Sequence, residues 1–138
     1  MTPQEVFNTV ATHLFNQGKQ AGEYREEEIR DGEYAPSFKC LYRGPEGTKC
    51  AAGFLIPDEL YNPAMENRSI YDVIEAYPKL AELLEGNRGL LVELQNIHDG
   101  YSEKYNKDES FKWYLRRKLY ELATDSGFTT EVLDSWVI

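Results

Sequence analysis

Cysteine and histidine are scarce in this chain, two of each among 138 residues. A disulfide framework of the secreted kind is therefore excluded, and a zinc site built from these types would have to recruit nearly all of them. Cations are also short. Fifteen Lys and Arg face 24 Asp and Glu, a net charge of -9. Direct binding to nucleic acid or to an anionic membrane is not expected, because phosphate affinity comes from clustered basic side chains. No run approaches the roughly 18 apolar residues of a membrane span. The opening stretch MTPQEVFNTVATHLF lacks the basic start and apolar centre of a signal peptide. These absences lead us to expect a cytoplasmic protein (host cytoplasm if the gene is viral) with reduced thiols and no cofactor. No repeat or low-complexity block is present.

What is there suits one globular domain over residues 1–138, with 41% hydrophobic and 13% aromatic residues. Thr2-Pro3-Gln4-Glu5 supplies a capping hydroxyl, a proline for the first helical position and a carboxylate able to reach back. Val6, Phe7, Val10, Ala11, Leu14 and Phe15 then recur at helical spacing, and Gly18 can end the helix. Residues 19–33, with Glu26-Glu27-Glu28 at their centre, read as an exposed connection or weak edge strand. A hairpin is expected over about 37–43 and 48–56, turning on Gly44-Pro45-Glu46-Gly47. Its register would set Tyr42 opposite Cys50 and Cys40 opposite Ala52. The cysteines would then lie diagonally on one face, roughly 7–8 Å apart and too far for an easy disulfide. Further helices are expected from Ser69, broken at Tyr77-Pro78, then after Asn87, after Asp108 and after Thr129. The expected fold class is α+β: a mostly helical single domain of five or six helices packed around one antiparallel β-hairpin.

The segment Cys40-Leu41-Tyr42-Arg43-Gly44-Pro45-Glu46-Gly47-Thr48-Lys49-Cys50-Ala51-Ala52-Gly53-Phe54-Leu55-Ile56-Pro57-Asp58 resembles a family of short uncharacterised proteins encoded in bacterial and bacteriophage genomes. The shared pattern is Cys-x-Tyr-Arg-x-Pro-x-Gly-x-Lys-Cys-Ala-x-Gly-x-x-Ile-Pro-Asp. The likeness extends to the first helix, to Met65-Glu66 and to Leu94-Gln95-Asn96-Ile97-His98-Asp99, about residues 5–100 in all. It implies a microbial or viral setting and assigns no catalytic residue.

Few residues could carry chemistry. Cys50 as nucleophile with His98 as base and Asp99 as its orienting carboxylate would make a thiol enzyme. However, adjacent helical residues point about 100° apart, so Asp99 is expected to orient His98 poorly. The competing reading makes Cys50 a small core residue and places His98 near the negative end of its helix. Cys40, Cys50 and His98, with His13 or Asp99, are the candidate zinc ligands, although the cysteines stand ten apart instead of two to four. The Glu26-Glu27-Glu28 run raises the alternative of a nucleic-acid-mimicking inhibitor, which interspersed cations argue against. Tyr24, Tyr34, Tyr61, Tyr101 and Tyr105 fall outside the core stripes, and tyrosine is enriched at interfaces.

The function expected is that of a small acidic binding protein, a phage or prophage accessory factor acting on a host protein. Not expected to be an enzyme, it would centre its binding residues on Tyr42, Arg43, Tyr61 and Asp58.

Overall fold

The computed structural model describes residues 1–103 and 106–138. Helix α1 (Pro3–Gln17) begins as its sequence dictates. The Thr2 hydroxyl accepts the Glu5 N–H, the Glu5 carboxylate accepts the Thr2 N–H, and left-handed Gly18 closes the other end. Its apolar stripe, Val6, Phe7, Val10, Ala11 and Leu14, is wholly buried.

The strands do not fall where the sequence suggests. β1 (Gly22–Arg30) and β2 (Glu33–Cys40) form the antiparallel hairpin, turning at Asp31-Gly32 with Gly32 at φ 73°. The expected return strand over 48–56 is instead irregular chain followed by the short helix α2 (Ala51–Leu55). The physical reason lies in residue size. Ala51, Ala52 and Gly53 are all buried, which no half-exposed strand allows, and only small residues fit there. A Cβ on Gly53 would stand 2.3 Å from the Tyr42 carbonyl oxygen. The Gly44-Pro45-Glu46-Gly47 segment does turn, and the Gly44 N–H donates to Thr48 O at 2.8 Å, but the turn is a single 3-10 loop leading into α2.

The acidic ribbon is tolerable because cations answer part of its charge. Arg25 pairs with Glu23, Arg30 with Glu33, and Lys39 reaches Glu27 across the ribbon. Partners opposite one another share a face. Gly22, Tyr24, Glu26 and Glu28 therefore lie with Cys40, Phe38, Pro36 and Tyr34 on one side, and Glu23, Arg25 and Glu27 with Lys39, Ser37 and Ala35 on the other.

The remaining helices are α3 (Ile70–Ala76), α4 (Pro78–Leu84), α5 (Arg88–Asp99), α6 (Phe111–Ser126) and the single turn α7 (Glu131–Asp134). Tyr77-Pro78 separates α3 from α4 as expected. Ser110, not Asp108, caps α6, its hydroxyl accepting the Trp113 N–H. α1 packs on α2, α5 and α6. Leu91 and Leu94 of α5 and Leu115 and Leu119 of α6 join its stripe in the core, each such burial contributing about 1.5–3 kcal/mol. The result is an α+β fold, mostly helical, with one two-stranded ribbon. No helix among the described residues is long and apolar enough to cross a membrane.

Candidate functional site

The ribbon is rooted by one imidazole. His98 on α5 is fully buried, and its Nε2 accepts the Ala21 N–H at 2.9 Å. Accepting at Nε2 leaves the proton of the neutral ring on Nδ1, which donates to Asp99 Oδ1 at 2.7 Å. The expectation that Asp99 would hold His98 poorly is thus corrected. At the last turn of α5 the carboxylate swings back onto its neighbour's ring. Ala21 O in turn accepts the Leu41 N–H, closing the base of the ribbon.

Gln95, one turn earlier, extends this chain of hydrogen bonds. Its Oε1 accepts the Ala52 N–H at 3.1 Å, which fixes the amide's orientation. Its Nε2 then donates to Asp99 Oδ1 at 2.9 Å and to Cys40 Sγ at 2.6 Å. Cys50 Sγ accepts the Gly53 N–H at the start of α2 at 3.3 Å. The influence of the Cys50 side chain, followed by burial, pushes the Cys40 thiol far above its ordinary pKa. Cys40, Gln95 and Asp99 form part of the floor of a cavity of about 430 Å³ that Asn67, Arg68 and Asn96 also line.

This arrangement bears on both chemical readings. A thiol nucleophile needs a basic lone pair beside it, and each nitrogen of His98 is already committed elsewhere. Cys50 is fully buried. For metal, the structure brings together Cys40, His98 and Asp99, with ligand atoms within 4.8 Å of one another. The His98 nitrogen facing them carries the proton, so ligation there would set an N–H against the Ala21 N–H on the far side of the ring. His13 lies apart, its Nε2 donating to Lys49 O at 2.8 Å and its ring stacked on Phe54.

The four residues expected to bind form an internal clamp. Arg43 donates to Gly53 O (2.7 Å), Ile56 O (2.8 Å) and Asp58 Oδ1 (3.0 Å), and stacks over Tyr61. Glu66 closes the clamp, its carboxylate accepting the Tyr42 and Arg43 N–H groups and the Tyr61 hydroxyl. Tyr42 is buried, its hydroxyl donating to Arg68 O at 2.7 Å. Asp58 alone of the four is largely exposed.

Exposed contact surface lies instead on the ribbon. Tyr24, Ile29 and Tyr34 are 57%, 60% and 60% exposed. Beneath the ribbon's aromatic face, a cleft of about 900 Å³ runs to the segment after α5. Tyr24, Pro36, Phe38, Tyr101, Glu103 and Phe111 are among the residues lining it. Tyr105 lies outside the described residues. Sequence reasoning singled out Tyr24, Tyr34 and Tyr101 but missed Phe38's part in this cleft. The signal that would have found it is Asp31-Gly32, a strong two-residue hairpin turn, between two segments able to alternate.

Comparison with known proteins yields no match: no family model, no curated protein and no solved structure corresponds to the chain.

Proposed function

We propose that this protein is a recognition module that captures a basic, extended segment of another protein in the aromatic cleft beneath its acidic ribbon. One observation carries the reading: Tyr24, Phe38 and Tyr34 share a ribbon face with Glu26 and Glu28. That face combines aromatic rings for the stems and heads of Lys and Arg with carboxylates for their charge. Glu26 and Glu28 make no ion pair among the described residues, unlike Glu23, Glu27 and Glu33. The paired cations break up the negative surface that a nucleic-acid mimic needs, which favours a peptide partner. The likeness to proteins of bacteria and their phages supports a host protein as the source of that segment.

The test is binding to a panel of Lys/Arg-rich peptides, followed by fluorescence anisotropy at two salt concentrations. Wild-type protein should bind a subset, more weakly at high salt. The double variant Glu26→Lys/Glu28→Lys should weaken binding by roughly tenfold or more, equivalent to about 1.4 kcal/mol or more. The double variant Tyr24→Ala/Tyr34→Ala should weaken it too, with the melting temperature unchanged in both. A panel with no binder, or binders indifferent to the charge reversal, would refute the proposal.

A further inference from the structure

The ribbon has two edges, and they are not alike. It consists of β1 and β2 alone, so each strand has one side without a neighbour. In an antiparallel pair, alternate residues exchange backbone hydrogen bonds, and those between them turn their N–H and C=O groups outward. The Leu41 N–H donates to Ala21 O, and the same register sets Glu23 opposite Lys39, Arg25 opposite Ser37 and Glu27 opposite Ala35. These are the bonded positions. Gly22, Tyr24 and Glu26 therefore face outward from β1, and Phe38 and Pro36 face outward from β2. Pro36 fits this order, since it has no N–H to give to the ladder. It also leaves the middle of the β2 edge without a donor, and Phe38 beside it is half-buried. The β1 edge keeps its donors. Tyr24 and Glu26 are exposed, and their backbone groups meet no partner outside the ribbon among the described residues. A row of unpaired N–H and C=O groups is a template for one more strand.

We infer that the β1 edge takes up the basic segment as a third strand, with Lys or Arg at every second residue of that segment. The inference rests on the peptide-capture reading and gives it a binding mode and a sequence rule. Main-chain bonds to Tyr24 and Glu26 supply affinity, and the alternation of side chains supplies selectivity. Every second side chain of the added strand falls on the aromatic face, beside Glu26 and Glu28 and over the cleft that Tyr24 borders. Cations suit that side, whose two carboxylates have no ion pair among the described residues. The side chains between them fall on the opposite face. There Arg25 pairs with Glu23 and Lys39 with Glu27, so that face calls for no charge. A second copy of this chain is the wrong occupant. Two β1 edges paired about Glu26 would set one Glu26-Glu27-Glu28 run against another, and like charges on neighbouring strands repel. The register shift between Glu28 and Arg30 ends the regular edge, so the contact is short.

The experiment adds the peptide Lys-Thr-Lys-Thr-Lys-Thr-Lys, or its block isomer Lys-Lys-Lys-Lys-Thr-Thr-Thr, to the full native chain. The alternating peptide should bind more tightly by roughly tenfold or more. Each of its backbone N–H groups is then methylated in turn. Methylation at one set of alternate residues should weaken binding by roughly tenfold or more, and at the other set should change it little. Amide exchange followed by NMR gives the protein's side. The Tyr24 and Glu26 N–H groups should exchange fast in the free chain and slow by roughly tenfold or more with peptide bound, while Arg25 is slow in both. Methyl groups that weaken binding evenly or not at all, or Tyr24 and Glu26 amides left unprotected, would overturn the inference. If basic peptides still bind and Glu26→Lys/Glu28→Lys still weakens them, strand addition falls and the recognition reading stands. No binding by any basic peptide removes both. A free chain that sediments as a dimer with those two amides protected would put a second copy on the edge and likewise overturn the inference.

Discussion

Replacing Glu66 tests whether the Tyr42-Arg43 clamp is held by one carboxylate. Its Oε1 accepts the Tyr42 N–H at 2.9 Å, while Oε2 accepts the Arg43 N–H at 3.1 Å and the Tyr61 hydroxyl at 2.7 Å. In Glu66→Gln one of those oxygens becomes an NH₂ group. Turned toward Tyr61, the amide can donate to a reoriented hydroxyl, but it then faces the Arg43 N–H. Turned the other way, it faces the Tyr42 N–H. Either orientation orphans one backbone donor, costing about 1–2 kcal/mol at this half-buried site. Glu66→Ala deprives all three donors, and partial recovery by water leaves a cost of about 2–4 kcal/mol. At this chain length each kcal/mol corresponds to roughly 3–5 °C in melting temperature. Scanning calorimetry should therefore rank wild type above Gln and Gln above Ala. Burial, and next the bond to Glu66, hold the Tyr61 hydroxyl up at about 12, and Glu66→Gln should lower it. Two variants within about 0.5 kcal/mol of wild type, with Tyr61 unmoved, would refute the clamp.

Other expectations follow from single contacts. Gly53→Ala would drive a methyl group against the Tyr42 backbone, with its oxygen at 2.3 Å and its Cα at 2.9 Å. It should lower stability by about 1–3 kcal/mol or more in urea titration, and a neutral result would deny the close approach of α2 to the Tyr42 backbone. Tyr61 and Tyr114, both pushed up to about 12 chiefly by burial, keep their protons in the folded state beyond the ordinary value of 10.0. Their stabilising contribution is complete below pH 10 and is lost as pH rises through about 12, so phenolate absorbance and unfolding should advance together in that window. Burial holds His13 below its ordinary 6.5. Its contribution is complete above pH 6.5 and lost as pH falls, and NMR should place its titration midpoint below that value.

Helical elements were legible because their signals are local. The Thr2 capping box, the Tyr77-Pro78 break and the αL glycine at 18 lie where the sequence places them. The hairpin was half legible. Its existence was foreseen, but the alternation of Cys50, Ala52, Phe54 and Ile56 fits a short helix as well as a strand. Small residues made the difference, and tertiary packing decides their fate. The Glu26–Glu28 run masked β1, because Lys39, which answers Glu27, sits one strand away. For the site, proximity of His98, Asp99 and the thiols was suspected, whereas the proton's place on His98 depends on the Ala21 N–H, 77 residues distant in sequence. No spacing rule reaches that far.

The ribbon is fastened at its root and packs on little beyond it. Nine residues of β1 at about 3.3 Å each reach about 30 Å, while a globule of this chain length has a radius of gyration of about 14 Å. Such a finger can probe crevices that the helical body is too broad to enter. Its base is held on α5 by the buried His98 ring, which accepts the Ala21 N–H just before β1 begins.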